Sequence, residues 1–267
     1  MLIESTVHLP ISLALLDGLI KTPEGAEIAR ASLRWLHFVA GITWIGLLYF
    51  FNLVNVPLQK KLDADTKKKV NPDLLLPSLW LFRWGALLTV FVGLTYFAMY
   101  ILAPDVNNAN AIGGANLNVW VVLLVWLTYP VALFIVEMLI IKKVPALTKD
   151  GRVFAIVMII LIGIVTYGIL MFLSAKFTVG GYVASNKTYS IGVGGAYGVL
   201  MLLNVWGIIW PNNKRLIGAL QGGPPAAPEL ARQAFLASRT NAWLSLPMLL
   251  LMATSHGDWL IFSGKND

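Results

Sequence analysis

The chain has 267 residues, of which 58% are hydrophobic and only 12% charged, where a soluble domain carries about 25% charged residues; this excludes a water-soluble fold. The absence of cysteine excludes a disulfide, an iron–sulfur cluster, a thiolate zinc site and a covalently attached c-type haem, all of which need sulfur. The net charge of +7 comes mainly from basic residues between apolar stretches, where membrane orientation explains them and nucleic acid is not an expected partner.

In chain order, Met1 to Ile20 lacks the basic start and cleavage site of a signal peptide. Its apolar run, Leu9 to Ile20, is interrupted by Pro10, Asp17 and Gly18 and is too short to cross about 30 Å of hydrocarbon. Residues 1–29 therefore read as an interfacial segment on the outer face. Six apolar runs follow, at 32–54, 79–102, 117–141, 153–173, 189–210 and 242–262, each long enough to span a bilayer. Pro57, Pro77, Pro104, Pro145 and Pro211 stand just outside these runs, and Pro130 and Pro247 inside them predict kinks. The stretch from Pro211 to Thr240 reads as a turn followed by an interfacial helix.

Lysine and arginine are distributed unevenly. Lys60, Lys61, Lys67, Lys68, Lys69, Lys142, Lys143, Lys149, Arg152, Lys214, Arg215, Arg232 and Arg239 fall on one side, against Lys21, Arg30, Lys176, Lys187 and Lys265 on the other. The richer side is cytoplasmic by the positive-inside rule, so both termini are expected in the periplasm. The expected fold is all-α and integral to the lipid bilayer. Residues 30–267 form a six-transmembrane-helix bundle, multi-pass in a bacterial inner membrane.

Ionisable residues inside the spans carry the functional signal, because a membrane tolerates few of them. They are Arg34, His37, Arg83, Glu137, His256 and Asp258. His37 and His256 each lie about six residues inside the outer end of a span, roughly 9 Å deep at 1.5 Å per residue, so one site can include both. Two histidines on facing helices match the ligand set of a single b-type haem. Gly41 and Trp44 share the face of His37, the first leaving room for a flat macrocycle and the second packing on it, while Arg34 is placed to pair with a propionate. Ser255 and Asp258 flank His256. Hydrogen bonding between helices, proton transfer and a metal ion remain as alternatives for the histidines; a metal would need more ligands, and the third histidine, His8, lies outside the spans. Arg83 and Glu137 share a depth near the cytoplasmic ends of their spans and read as an ion pair locking two helices. Gly192, Gly194, Gly195 and Gly198 read as a packing surface.

Four stretches, Arg34-Trp-Leu-His37-Phe-Val-Ala-Gly41-Ile-Thr-Trp44-Ile-Gly46, Phe82-Arg83-Trp84-Gly85, Asn204-Val-Trp-Gly-Ile-Ile-Trp-Pro-Asn212 and Leu246-Pro247 to Ser255-His256, occur in that order. They resemble the membrane domain of bacterial membrane-bound urate hydroxylases, the urate oxidase N-terminal domain family. The first stretch also resembles, more distantly, the histidine-bearing helix of copper-resistance D-type and haem-binding protoporphyrinogen oxidase membrane proteins. The resemblance implies a membrane oxidoreductase that oxidises urate or a related purine and passes electrons to a c-type cytochrome. Members with that activity usually carry a cytochrome c domain after the last helix, whereas this sequence reaches Asp267 without a Cys-X-X-Cys-His motif. An electron-transfer or anchoring subunit of a respiratory membrane complex is the expected alternative, and a small-molecule transporter a weaker one.

Overall fold

The computed structural model describes residues 24–256 and 261–262. The N-terminal segment expected at the interface, His8, Asp258 and the last part of the sixth predicted span lie wholly or mostly outside these residues. Six long helices run through the described chain: α1 Gly25–Gln59, α2 Ala64–Gly113, α3 Val119–Lys143, α4 Gly151–Phe177, α5 Asn186–Leu220 and α6 Glu229–Thr254. Among the described residues five of them, α1 to α5, are long and apolar enough to cross a membrane. Large apolar side chains such as Trp35, Phe91, Leu124, Ile159 and Ile164 point outward. In water such a surface would drive aggregation; in hydrocarbon it is the solvated face.

α1 starts seven residues before its predicted span. Glu24 and Glu27 form a reciprocal capping box that satisfies the first free amides and nucleates the helix there. α2 starts at Ala64, capped by Asp63, so Pro72 and Pro77 lie inside a helix that runs on to Gly113. The prolines read as terminators behave differently. Pro57, Pro104 and Pro211 are each the second residue after a π-helical segment, Phe50–Asn55, Ala98–Leu102 and Val205–Ile209 respectively. A proline ring collides with the carbonyl four residues back and donates no hydrogen bond; the wider π turn moves that carbonyl aside, and the helix continues. The interfacial helix expected before the last span is likewise the first part of α6, which runs unbroken from Glu229 through Pro247 to Thr254.

α5 is the central helix. Two-thirds of its most apolar window is buried (67%), against 17% for the peripheral α4. α1 packs along α2, while α5 packs against α6, α3, α2 and α4. Backbones approach closely where side chains vanish: a Cβ at Gly85 would stand 3.5 Å from the Ala40 carbonyl oxygen and the Trp44 nitrogen, so α1 and α2 meet at the Phe82-Arg83-Trp84-Gly85 stretch. Gly192 and Gly194 pack in the same way against Leu173 of α4 and Leu251 of α6.

Candidate functional site

A cavity of about 670 Å³ opens between α1, α2, α3, α5 and α6, within the range of about 300–1,000 Å³ usual for small-molecule and cofactor sites. Of the residues expected there, Arg34, His37, Gly41, Trp44 and His256 all line it. Its remaining wall is almost wholly apolar and aromatic, with Phe38, Phe97, Trp126, Met248 and Met252 among its residues. Gly41, Gly46, Gly93, Gly195 and Gly198 add flat, side-chain-free surface. Gly195 and Gly198, read from the sequence as a packing surface, also shape the cavity.

His37 is held by α2. Its Nδ1 lies 2.9 Å from the carbonyl oxygen of Thr89. A carbonyl only accepts, so Nδ1 carries the proton and Nε2 keeps its lone pair. This is the arrangement that fixes the ring and tautomer of metal-binding histidines. Gly93, one turn along α2, makes room for the ring: a Cβ there would lie 2.8 Å from Cε1 and 2.9 Å from Nδ1 of His37. Trp44 is buried with its Nε1 lacking any hydrogen-bond partner, an unused donor on a residue of the cavity wall. Thr89 and Gly93 were not among the residues picked from the sequence. Within an apolar span, a glycine that seats an imidazole reads the same as one that packs a helix.

His256 sits just past the end of α6, exposed at the cavity mouth. The end of α6 is clamped by Asn186, which donates to the Thr254 carbonyl at 2.9 Å while its own Oδ1 accepts from Ser190 at 3.2 Å and from the Phe262 amide at 3.2 Å. Ser255 does not join the cavity: its hydroxyl turns back to the Met252 carbonyl at 2.7 Å, because a free carbonyl at the helix end is the nearest acceptor. Outside the mouth lies a polar vestibule of about 420 Å³, whose residues include Arg30, Arg34, Tyr96, Tyr100, Lys187 and His256. Arg30 donates to the Tyr96 hydroxyl at 3.3 Å and lies over the Tyr100 ring at 5.6 Å. The vestibule wall is fixed from below by Asp105, which is buried and accepts from Tyr182 (2.7 Å), the Ser185 amide (2.9 Å) and the Ser185 hydroxyl (3.0 Å).

The expected ion pair between Arg83 and Glu137 does not form. Arg83 is caged by aromatic rings, its guanidinium 3.9 Å from the ring centroid of Trp210, 5.2 Å from that of Trp206 and 5.5 Å from that of Trp84. Ring faces attract a cation and cost it less water than a burial beside Glu137 would. Trp206 also donates to the Arg83 carbonyl at 3.0 Å, so the Phe82–Gly85 and Asn204–Asn212 stretches dock on each other. Glu137 instead accepts from Asn204 at 2.9 Å. Among the described residues, no three His, Cys, Asp or Glu side chains are grouped as a protein-only metal site would require.

Residues 64–266 match the family described as urate oxidase N-terminal. The chain belongs to the urate oxidase N-terminal family. The match covers the cavity walls supplied by α2, α3, α5 and α6, including Thr89, Gly93 and His256, while His37 on α1 lies before it. No curated protein and no solved structure matches.

Proposed function

We propose that this chain is a membrane-bound b-type haem redox protein of the urate hydroxylase kind. Its six helices all cross the bacterial inner membrane, with both ends of the chain in the periplasm. The observation that supports the haem is the pair His37 and His256 on one flat-walled apolar cavity, with His37 Nδ1 committed to Thr89 so that Nε2 is available to iron. When bound, the haem would supply one-electron exchange in a largely apolar site that opens to water only through the vestibule. The chain's own residues do the rest. His37 and His256 would hold the iron, Thr89 and Gly93 fix the first imidazole, Asn186 fixes the helix end carrying the second, and the glycines leave room in the cavity for a flat group. Arg34 lines both cavity and vestibule and would be the partner for a propionate.

The vestibule opens at the end of the bundle away from the lysine-rich turns. Electrons therefore leave on the periplasmic side, toward a c-type cytochrome. Family membership supports urate or a related purine as the electron source, and the basic groups Arg30, Arg34 and Lys187 suit an anion approaching the mouth. An optical spectrum of the purified protein tests this reading. Reduced b-type bands are expected in the wild type and absent from His37→Ala and His256→Ala; freshly prepared membranes containing the protein but no haem would overturn it. Anaerobic urate should reduce the haem. Failure to do so, together with co-purifying partner subunits, would favour an electron-carrying subunit of a larger respiratory complex.

A further inference from the structure

Glu137 lies in the second half of α3, about two turns before its C-terminal end, with no exposed surface. Its Oε2 accepts from Asn204 Nδ2 at 2.9 Å, and Oε1 has no partner. Asn204 is equally buried, and its Oδ1 also has no partner. Neither amide can be turned round to repair this. Asn241 donates from Nδ2 to the Met201 carbonyl at 2.9 Å, which fixes its Oδ1 toward Asn204, and Asn204 Nδ2 then donates to that oxygen at 3.0 Å. Two acceptors, one on each member of a hydrogen-bonded pair, are thus left without donors in an apolar interior, where each unpaired group is costly.

One proton answers both deficits. Placed on Oε1, it turns that oxygen into a donor and supplies Asn204 Oδ1 with the bond it lacks, while Nδ2 continues to donate to Oε2. That is the two-bond pairing of a carboxylic acid with a primary amide. An ionised carboxylate here would be buried without a cation: the side chains that face it are Asn204 from α5 and the Thr240 hydroxyl from α6, both neutral, with Asn241 bonded to Asn204 rather than to the carboxyl, and Arg83 is held in its tryptophan cage. We propose that Glu137 is a neutral carboxylic acid paired with Asn204, a proton store inside the helix bundle that serves the cavity. The link to the cavity follows α6. Ser245 lies one turn beyond Asn241 and is hydrogen-bonded at 3.0 Å to Tyr49, a residue of the cavity wall. This link rests on the haem reading above; the protonation of Glu137 does not.

Infrared spectroscopy of the full-length protein in membranes tests both parts. The resting wild type should show the carbonyl stretch of a protonated carboxylic acid, shifted in D2O, lost in Glu137→Gln and displaced in Asn204→Asp. The glutamine variant reproduces both bonds of the pair and should fold; Glu137→Asp, which moves the band, is the second variant. No such band, or loss of carboxylate bands in Glu137→Gln instead, overturns the proposal. Reduction of the protein should shift the acid band; a band unmoved by reduction of a haem that is present overturns the link to the cavity. A resting band in protein devoid of haem leaves the proton store standing and removes the redox reading alone.

Discussion

His37 and Thr89 are joined across α1 and α2 by a 2.9 Å hydrogen bond that leaves Nε2 of His37 as the free ring nitrogen, and the room for the ring comes from glycine at residue 93. A Cβ there meets the imidazole ring itself, at 2.8 Å from Cε1 and 2.9 Å from Nδ1, the nitrogen that makes the Thr89 bond. Gly93→Ala should therefore displace His37 at a cost of about 1–3 kcal/mol, the range for forced overpacking. The measurement is haem content per polypeptide with thermal unfolding of the same preparation: content should drop several-fold. Full haem content at unchanged stability would show that the ring is not seated by Gly93.

Asn186 bears the same relation to His256 on the opposite wall. It holds the Thr254 carbonyl two residues before the histidine and accepts the amide of Phe262 beyond it. Asn186→Ala leaves these groups without partners, worth about 1–3 kcal/mol for a buried polar group, and frees the end of α6. The expected outcome is protein that folds, with weakened retention of haem during dialysis. Retention equal to wild type would assign Asn186 to stability alone.

The long apolar runs, and the placing of His37, Gly41, Trp44 and His256 around one cavity, were readable from the sequence, because membrane thickness and helical periodicity are one-dimensional constraints. Helix continuity was not. Pro57, Pro104 and Pro211 read as ends because a π turn that rescues a helix has no sequence signal of its own. The Arg83–Glu137 pair was misread for a different reason. Opposite charges at one depth attract on paper, but Trp84, Trp206 and Trp210 offer the cation ring faces, and depth says nothing of direction around the bundle. Thr89, Gly93 and Asn186 act through contacts between residues tens of positions apart, which spacing within one helix cannot reveal.

Asp105 ties the connection after α4 to the far end of α2. Asp105→Ala removes the acceptor of the Tyr182 hydroxyl and of the Ser185 amide and hydroxyl in a buried setting. About 1–3 kcal/mol for each buried donor left unsatisfied makes this among the more damaging single changes outside the cavity. Limited proteolysis should show earlier cleavage within residues 178–185 than in wild type. A cleavage pattern identical to wild type would mean that the connection is held by other contacts.

Asp63 offers a pH-dependent test on the lysine-rich side. The amide of Thr66 at 2.9 Å and its hydroxyl at 2.7 Å hold the Asp63 carboxyl below the usual carboxylate range. A group whose pKa is depressed on folding contributes stability above its ordinary value, about 3.9 for aspartate, and loses it as pH falls through the folded value. Asp63→Asn caps the helix without titrating. Wild type and variant should melt alike at pH 7, and below about pH 4 the wild type should lose more; parallel curves down to pH 3 would show that this cap does not contribute.

Gly113 and Gly180 face each other where α2 ends against the turn before α5. A Cβ on Gly113 would lie 2.5 Å from the Val179 carbonyl oxygen, and one on Gly180 would lie 2.6 Å from the Gly113 Cα, with Gly180 itself at φ +53°. Backbone atoms cannot swing aside as a side chain does, so Gly113→Ala must push the 178–182 turn outward, and with it the stretch that Asp105 anchors. Gly163, in the middle of α4, has nothing within 4 Å of its would-be Cβ, and alanine there should be neutral or slightly stabilising. Thermal unfolding of the two variants side by side in one detergent separates a steric effect from a general penalty for changing glycine. The Gly113 variant should melt several degrees lower and the Gly163 variant no lower than wild type, while equal melting temperatures would remove the close approach as a determinant of stability at this end of the bundle.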